Sequence, residues 1–140
     1  MNPPQVLIER TAIDALCNPS SEHHDVVTGA YLALLDEFEE NQLLLVAVSE
    51  HVRPYREWYR FFRRGPLAAI DTLHVGRQHR RAANRMAATV DFDHVLTLLI
   101  CQRHKVTRML TLDPYFTTYN DLAVQLLYAH LVGESNDARA

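Results

Sequence analysis

Six uninterrupted apolar residues, Leu43 to Val48, constrain this chain more than any other feature. A run of strand length with no polar interruption is what a strand covered on both faces requires. Val6-Leu7-Ile8 is a shorter run of the same kind, and Val106 to Leu110 reads as another strand. Between the first two runs the apolar residues fall at helical spacing: Val26, Val27, Ala30, Tyr31, Leu34, Leu35 and Phe38. Strands alternating with helices predict an α/β fold with a mainly parallel sheet.

The remaining elements follow from local signals. Thr11 to Leu16 reads as a short helix that stops near Asn18-Pro19, and Ser20 and Ser21 offer N-cap oxygens for a helix from Asp25. Ser49 looks like the N-cap of a helix running to about Arg64, ended by Gly65-Pro66. Pro54 must lie in its first turn or kink it. Ile70 to Val75 is an edge strand or an extended connector. Arg77 to Thr89 and Phe92 to His104 are helices. Asn120-Asp121 is a turn, and Leu122 to Leu127 is the last strand, with a helix over 121–132 as the competing reading. Residues 1–132 form one domain, and Gly133 to Ala140 is a disordered tail.

Composition narrows the function. No apolar run reaches the length of a membrane span, and no basic segment followed by an apolar one opens the chain as a secretory signal does. Cys17 and Cys101 sit in apolar helical patterns without a CxxC, as buried free thiols do, and a cytoplasmic protein is expected. His23, His24, His51, His74, His79, His94, His104 and His130 are scattered, without HExxH spacing, so a zinc site is not indicated. No GxGxxG, GxxxxGK[ST] or GxSxG motif is present, which argues against a nucleotide loop or a serine-hydrolase elbow.

The net charge of −3 conceals a strong asymmetry. Residues 1–52 hold nine acids and one base; residues 53–85 hold nine arginines and two acids. Arginine forks match phosphate geometry, so a basic block beside an acidic site suits a protein that grips a nucleic-acid backbone. The alternative is a solvated face whose arginines pair with the acidic first helix. The body of the 49–64 helix mixes Tyr55, Trp58, Tyr59, Phe61 and Phe62 with Arg56, Arg60, Arg63 and Arg64. Such aromatics either stack exposed bases or fill a core or interface.

The last third carries the chemistry. Asp93 opens an apolar helix, the strand Val106 to Leu110 follows, and Thr111-Leu112-Asp113-Pro114-Tyr115-Phe116 closes the unit. Ligands gather at the carboxyl ends of parallel strands, where two such acids can meet. Neighbouring carboxylates repel unless a cation lies between them, and hard divalent cations take carboxylate oxygens. A carboxylate-lined metal site is the simplest functional reading. The competing roles are a turn residue for Asp113 and a helix cap for Asp93.

This stretch resembles the PIN-domain ribonucleases, including toxin–antitoxin toxins of the VapC kind, in which a helix opens with aspartate and a strand ends in Thr-x-Asp-x-x-Phe. Val6 to Leu16 is similar to the family's first strand, its acid, its Ser/Thr and a short apolar helix. The resemblance spans about 5 to 127. It implies a PIN-like three-layer fold with four or five strands flanked by helices. It also implies a metal-dependent endoribonuclease in which Glu9, Asp93 and Asp113 hold Mg²⁺ or Mn²⁺ and cleave RNA with an activated water. Thr11 and Thr111 would support the acids. Arg56, Arg60, Arg63, Arg64, Arg77, Arg80 and Arg81 would hold the RNA. A small antitoxin and a second copy of the chain are the implied partners.

Two positions depart from the pattern. Glu9 stands where aspartate is usual, which pushes the carboxylate about one bond outward, and Arg10 beside it can compete for that carboxylate. Tyr55 falls where the second acid is expected, leaving Glu57, and behind it Glu50, as candidates. Asp91 is a rival to Asp93, Asp14 is expected to be solvated, and His94 is either a surface residue or an aid to proton transfer. The other reading of this chain is a PIN fold without catalysis, serving as an RNA-binding or protein-interaction module. A phosphatase or DNA nuclease with the same acids is a third.

Overall fold

A computed structural model describes residues 3–57, 66–86, 92–113, 116 and 125–128. Five strands, β1 (Gln5–Ile8), β2 (Leu44–Val48), β3 (Ile70–Leu73), β4 (Arg108–Thr111) and β5 (Gln125–Tyr128), form one sheet in the order β3-β2-β1-β4-β5. Every pairing is parallel. The described helices are α1 (Arg10–Cys17), α2 (His24–Glu39), α3 (Ser49–Glu57), α4 (Arg77–Met86) and α5 (Phe92–His104); a 3₁₀ turn, Pro66–Ala69, leads into β3.

Strand alternation divides the apolar residues between two cores. Val6, Ile8, Leu45, Ala47 and Leu110 pack with Ile13 of α1 and Val27, Tyr31 and Leu34 of α2. Leu7, Val46, Val48 and Met109 pack with Ala83 of α4 and Val95, Leu96 and Ile100 of α5. This is why β1 and β2 read as unbroken apolar runs: neither face meets water. The result is the three-layer α/β architecture expected of a PIN-like fold.

Several local expectations change. The second helix begins at His24, and its cap residue His23 makes no side-chain cap; Ser21 Oγ instead accepts the His23 N–H at 3.2 Å. Ser49 lies inside α3 rather than before it, and its buried hydroxyl has no hydrogen-bond partner among the described residues. Pro54 lies within the helix. The last strand is Gln125–Tyr128, so the helical alternative fails there. Cys101 is buried but Cys17 only half-buried; both are free, and burial pushes each thiol up to about 12, which leaves them unreactive. The acidic end of α2 finds a basic partner in Arg108 of β4, 3.9 Å from Glu37. The 58–64 part of the aromatic–arginine helix, the 87–89 end of the basic helix, the 120–121 turn and the 133–140 tail lie outside the described residues.

The strand order decides where a ligand belongs. The chain moves outward from β1 through β2 to β3, then returns to the other side of β1 as β4. Beyond the carboxyl ends of β1 and β4 the connections diverge, and such a switch point opens a crevice in doubly wound sheets.

Two helix ends use left-handed residues that are not glycine. Asn41 (φ 60°) follows α2 and Lys105 (φ 56°) follows α5. In each, the next N–H reaches back five residues, Gln42 to Glu37 and Val106 to Cys101, both at 2.9 Å. Asparagine tolerates this conformation better than lysine, which pays in Cβ crowding. Lys105→Gly is therefore expected to raise stability by about 0.5–1 kcal/mol, read as a higher denaturant midpoint with an unchanged slope.

Candidate active site

Glu9 leaves the end of β1 and caps α1 in extended conformation (φ −76°, ψ 157°). Its side chain is 1 % exposed. Oε1 accepts the Thr11 N–H at 3.0 Å, the Thr11 hydroxyl, and the Thr111 hydroxyl at 2.7 Å. Both threonines work twice. Thr11 Oγ1 also accepts the Leu112 N–H at 3.0 Å, and Thr111 Oγ1 accepts the Asp113 N–H at 2.9 Å. One carboxylate thus ties the end of β1 and the start of α1 to the turn after β4. Glu9 Oε2 is buried with no hydrogen-bond partner among the described residues.

Asp93 lies in the first turn of α5, where a carboxylate is favoured by the helix dipole. Its Oδ1 meets His51 Nε2 of α3 at 2.8 Å, and its Oδ2 meets Arg10 Nε of α1 at 3.2 Å. The His51 hydrogen bond holds the Asp93 carboxyl below the usual carboxylate range. It outweighs the opposing effect of burial and is reinforced by the charges of His51, Arg10 and His94. Asp113 lies two residues beyond β4, and its Oδ2 meets His94 Nε2 at 2.5 Å. The His94 ring sits edge-on to Phe116, with centroids 5.3 Å apart.

Around the switch point lie Glu9, linked to the Asp113 turn through Thr111, and Asp93, paired with Arg10 beside Glu9. His51 and His94 join them, on Asp93 and Asp113. Arg10 pairs with Asp93, not with its neighbour Glu9. His94 is partly buried against Asp113 rather than free on the surface. His51, 6 % exposed, carried no signal in the sequence beyond its place in the helix after β2; only the tertiary fold puts it beside Asp93.

The search for a second acid ends differently. Glu50 pairs with Arg80 of α4, and the Tyr55 hydroxyl donates to Asp14. Asp14 is thus exposed but not merely solvated. The side chains of Arg56 and Glu57 lie outside the described residues, as do Asp91, Arg60, Arg63 and Arg64. Arg77 and Arg81 are exposed on α4 beside Arg80.

A divalent cation does not fit these residues as they stand. Glu9 Oε1 is spent as a cap, and Asp93 and Asp113 already hydrogen-bond or pair with Arg10, His51 and His94. Among the described residues no three His, Cys, Asp or Glu side chains gather where one ion could take them all. Glu9 Oε2 is a buried carboxylate oxygen with no hydrogen-bond partner among the described residues.

No family model matches the chain, and no curated protein matches it. Seven solved chains do match in structure. Among them is VapC20 of Mycobacterium tuberculosis, described as a Sarcin-Ricin loop cleaving toxin; the match covers 81 % of this chain and 93 % of that one, with a TM-score of 0.57 at 10 % identity. The shared feature at that identity is the fold alone, a PIN-like three-layer α/β fold.

Two outcomes follow from the geometry. Thr111→Val strips a donor from buried Glu9 and is expected to cost about 1–3 kcal/mol by denaturant unfolding. Because the Asp93 carboxyl is depressed in the folded chain, its contribution is fully present above the unfolded value of about 3.9 and is lost as pH falls through the folded value. Asp93→Asn should therefore lower the melting temperature at pH 7, and the gap to the unmodified chain should close below about pH 4.

Proposed function

We propose that this chain is an endoribonuclease of the toxin kind, with Glu9, Asp93 and Asp113 at its centre. The observation that supports the reading is that Thr111 ties buried Glu9 to the Asp113 turn and Arg10, next to Glu9, pairs with Asp93, at the β1–β4 edge of a fold shared with a Sarcin-Ricin loop cleaving toxin. RNA is the substrate, gripped along its backbone by arginines of the 53–85 block, among them Arg77 and Arg81 on α4. A small antitoxin holds the activity in check, the chain pairs with a second copy, and both act in the cytoplasm. Among the described residues no helix is long and apolar enough to cross a membrane.

Mg²⁺ or Mn²⁺ is the cofactor this reading draws on. Asp93 and Asp113 are the carboxylates that would have to exchange Arg10, His51 and His94 for it, and Glu9 Oε2 is a buried oxygen with no hydrogen-bond partner among the described residues. Arg10→Ala should accordingly strengthen Mn²⁺ binding in a calorimetric titration.

The same pairing supports the second reading, an RNA-binding or protein-interaction module on a nuclease fold. A structured RNA mixture incubated with the purified chain, in Mn²⁺ or in EDTA, separates the two. Cutting that needs metal and is abolished in the Asp93→Asn/Asp113→Asn double variant is the expected result. RNA retention without cutting, by a folded chain free of bound partner, would favour the module. Cutting by the double variant would move the centre elsewhere.

A further inference from the structure

A cleft of about 320 Å³ opens beside the acid centre, between α1, the loop after it and Leu112. Its size suits a small planar ligand. Thr11 forms the wall shared with the centre: its hydroxyl donates to Glu9 and accepts the Leu112 N–H, one residue from Asp113. Ala15 and Leu112 supply apolar surface, Asn18 and His23 supply polar groups and an aromatic ring, and Asp14 contributes a carboxylate. The Tyr55 hydroxyl donates to Asp14 Oδ1 and so steadies that carboxylate.

We propose that this cleft is a nucleobase site that selects guanine in the RNA strand crossing the acid centre. It rests on the ribonuclease reading above and adds a specificity determinant to it. A carboxylate offers acceptors only, so it repels a phosphate and favours a neutral group rich in donors. Guanine alone among the four RNA bases presents two adjacent donors, N1–H and the N2 amino group, along its pairing edge. Adenine and cytosine put an acceptor beside their amino group, and uracil flanks its N3–H with two acceptors; each sets a lone pair against the Asp14 oxygens. Tyr55 uses one lone pair of Oδ1, and a carboxylate has about four such positions, so both oxygens can still accept. The Ala15 and Leu112 side chains give the base apolar contact, and the His23 ring at the rim gives it a stacking partner. Thr11 lines the cleft and hydrogen-bonds Glu9, so the cleft adjoins the acids.

The test uses the full chain and four ribonucleoside monophosphates, followed by amide resonances of residues 11–23. GMP is expected to shift them, and AMP, CMP and UMP to bind about tenfold more weakly. Asp14→Asn keeps the shape of the side chain but swaps one acceptor for a donor, and should erase the preference while leaving the spectrum otherwise folded. Equal shifts with all four nucleotides, or a GMP preference surviving Asp14→Asn, would overturn the proposal. So would silence toward every nucleotide beside clear binding of arginine amide, since that would make the cleft a seat for a protein side chain. The readout needs no catalysis. RNA cutting with no GMP effect would sink the guanine site alone, and a GMP effect without cutting would uphold the site and remove the nuclease.

Discussion

Everything at the functional edge depends on one buried carboxylate. Burying an ionised group without partners is costly enough that a fold either satisfies it or neutralises it. Glu9 is satisfied through Oε1 by an amide and two hydroxyls drawn from α1 and β4. Because its partners are about a hundred residues apart in the chain, the bond network sets the seam between β1 and β4. The turn carrying Asp113 is held in the same step, since Thr111 passes the restraint to the Asp113 N–H.

The rest of the centre is an exercise in charge balance. The first third of the chain is heavily acidic, and two more aspartates arrive from α5 and the end of β4. Asp93 is met by the Arg10 guanidinium and the His51 ring, and Asp113 by the His94 ring. The arginines of the middle block do not simply form a free cationic face: Arg80 is committed to Glu50. Among the described residues Arg53, Arg77, Arg81 and Arg85 of the block are exposed.

Much of the architecture was legible before any coordinates. Leu43 to Val48 announced a strand covered on both faces, and the structure places its residues alternately in two cores. The span Phe92–His104 matched its helix end to end because the apolar spacing and the acidic first turn agree. Helix starts after loops were read less well. Ser49 and Ser21 look like caps in isolation, yet a cap depends on backbone angles that the neighbouring packing imposes, and His23 precedes α2 instead. That Asp93 opens a helix and Asp113 follows a strand was legible from the pattern; their partners were not. His51 and His94 are ordinary histidines in sequence, and they matter because helices α3 and α5 carry them to Asp93 and Asp113.

By itself the sequence determined the alternation of strands and helices, the carboxylates that end β1 and follow β4, and the concentration of arginine in the middle of the chain. These are local properties: hydrophobic period, turn chemistry and residue count report on a few neighbours at a time. Tertiary structure alone decided that β4 returns beside β1, that Glu9 turns inward as a cap, that Tyr55 meets Asp14, that Asp93 meets Arg10 and His51, and that Asp113 meets His94. Those outcomes rest on contacts between residues tens to a hundred positions apart, and the energy of a buried charge is set by whichever groups the fold brings within hydrogen-bond reach.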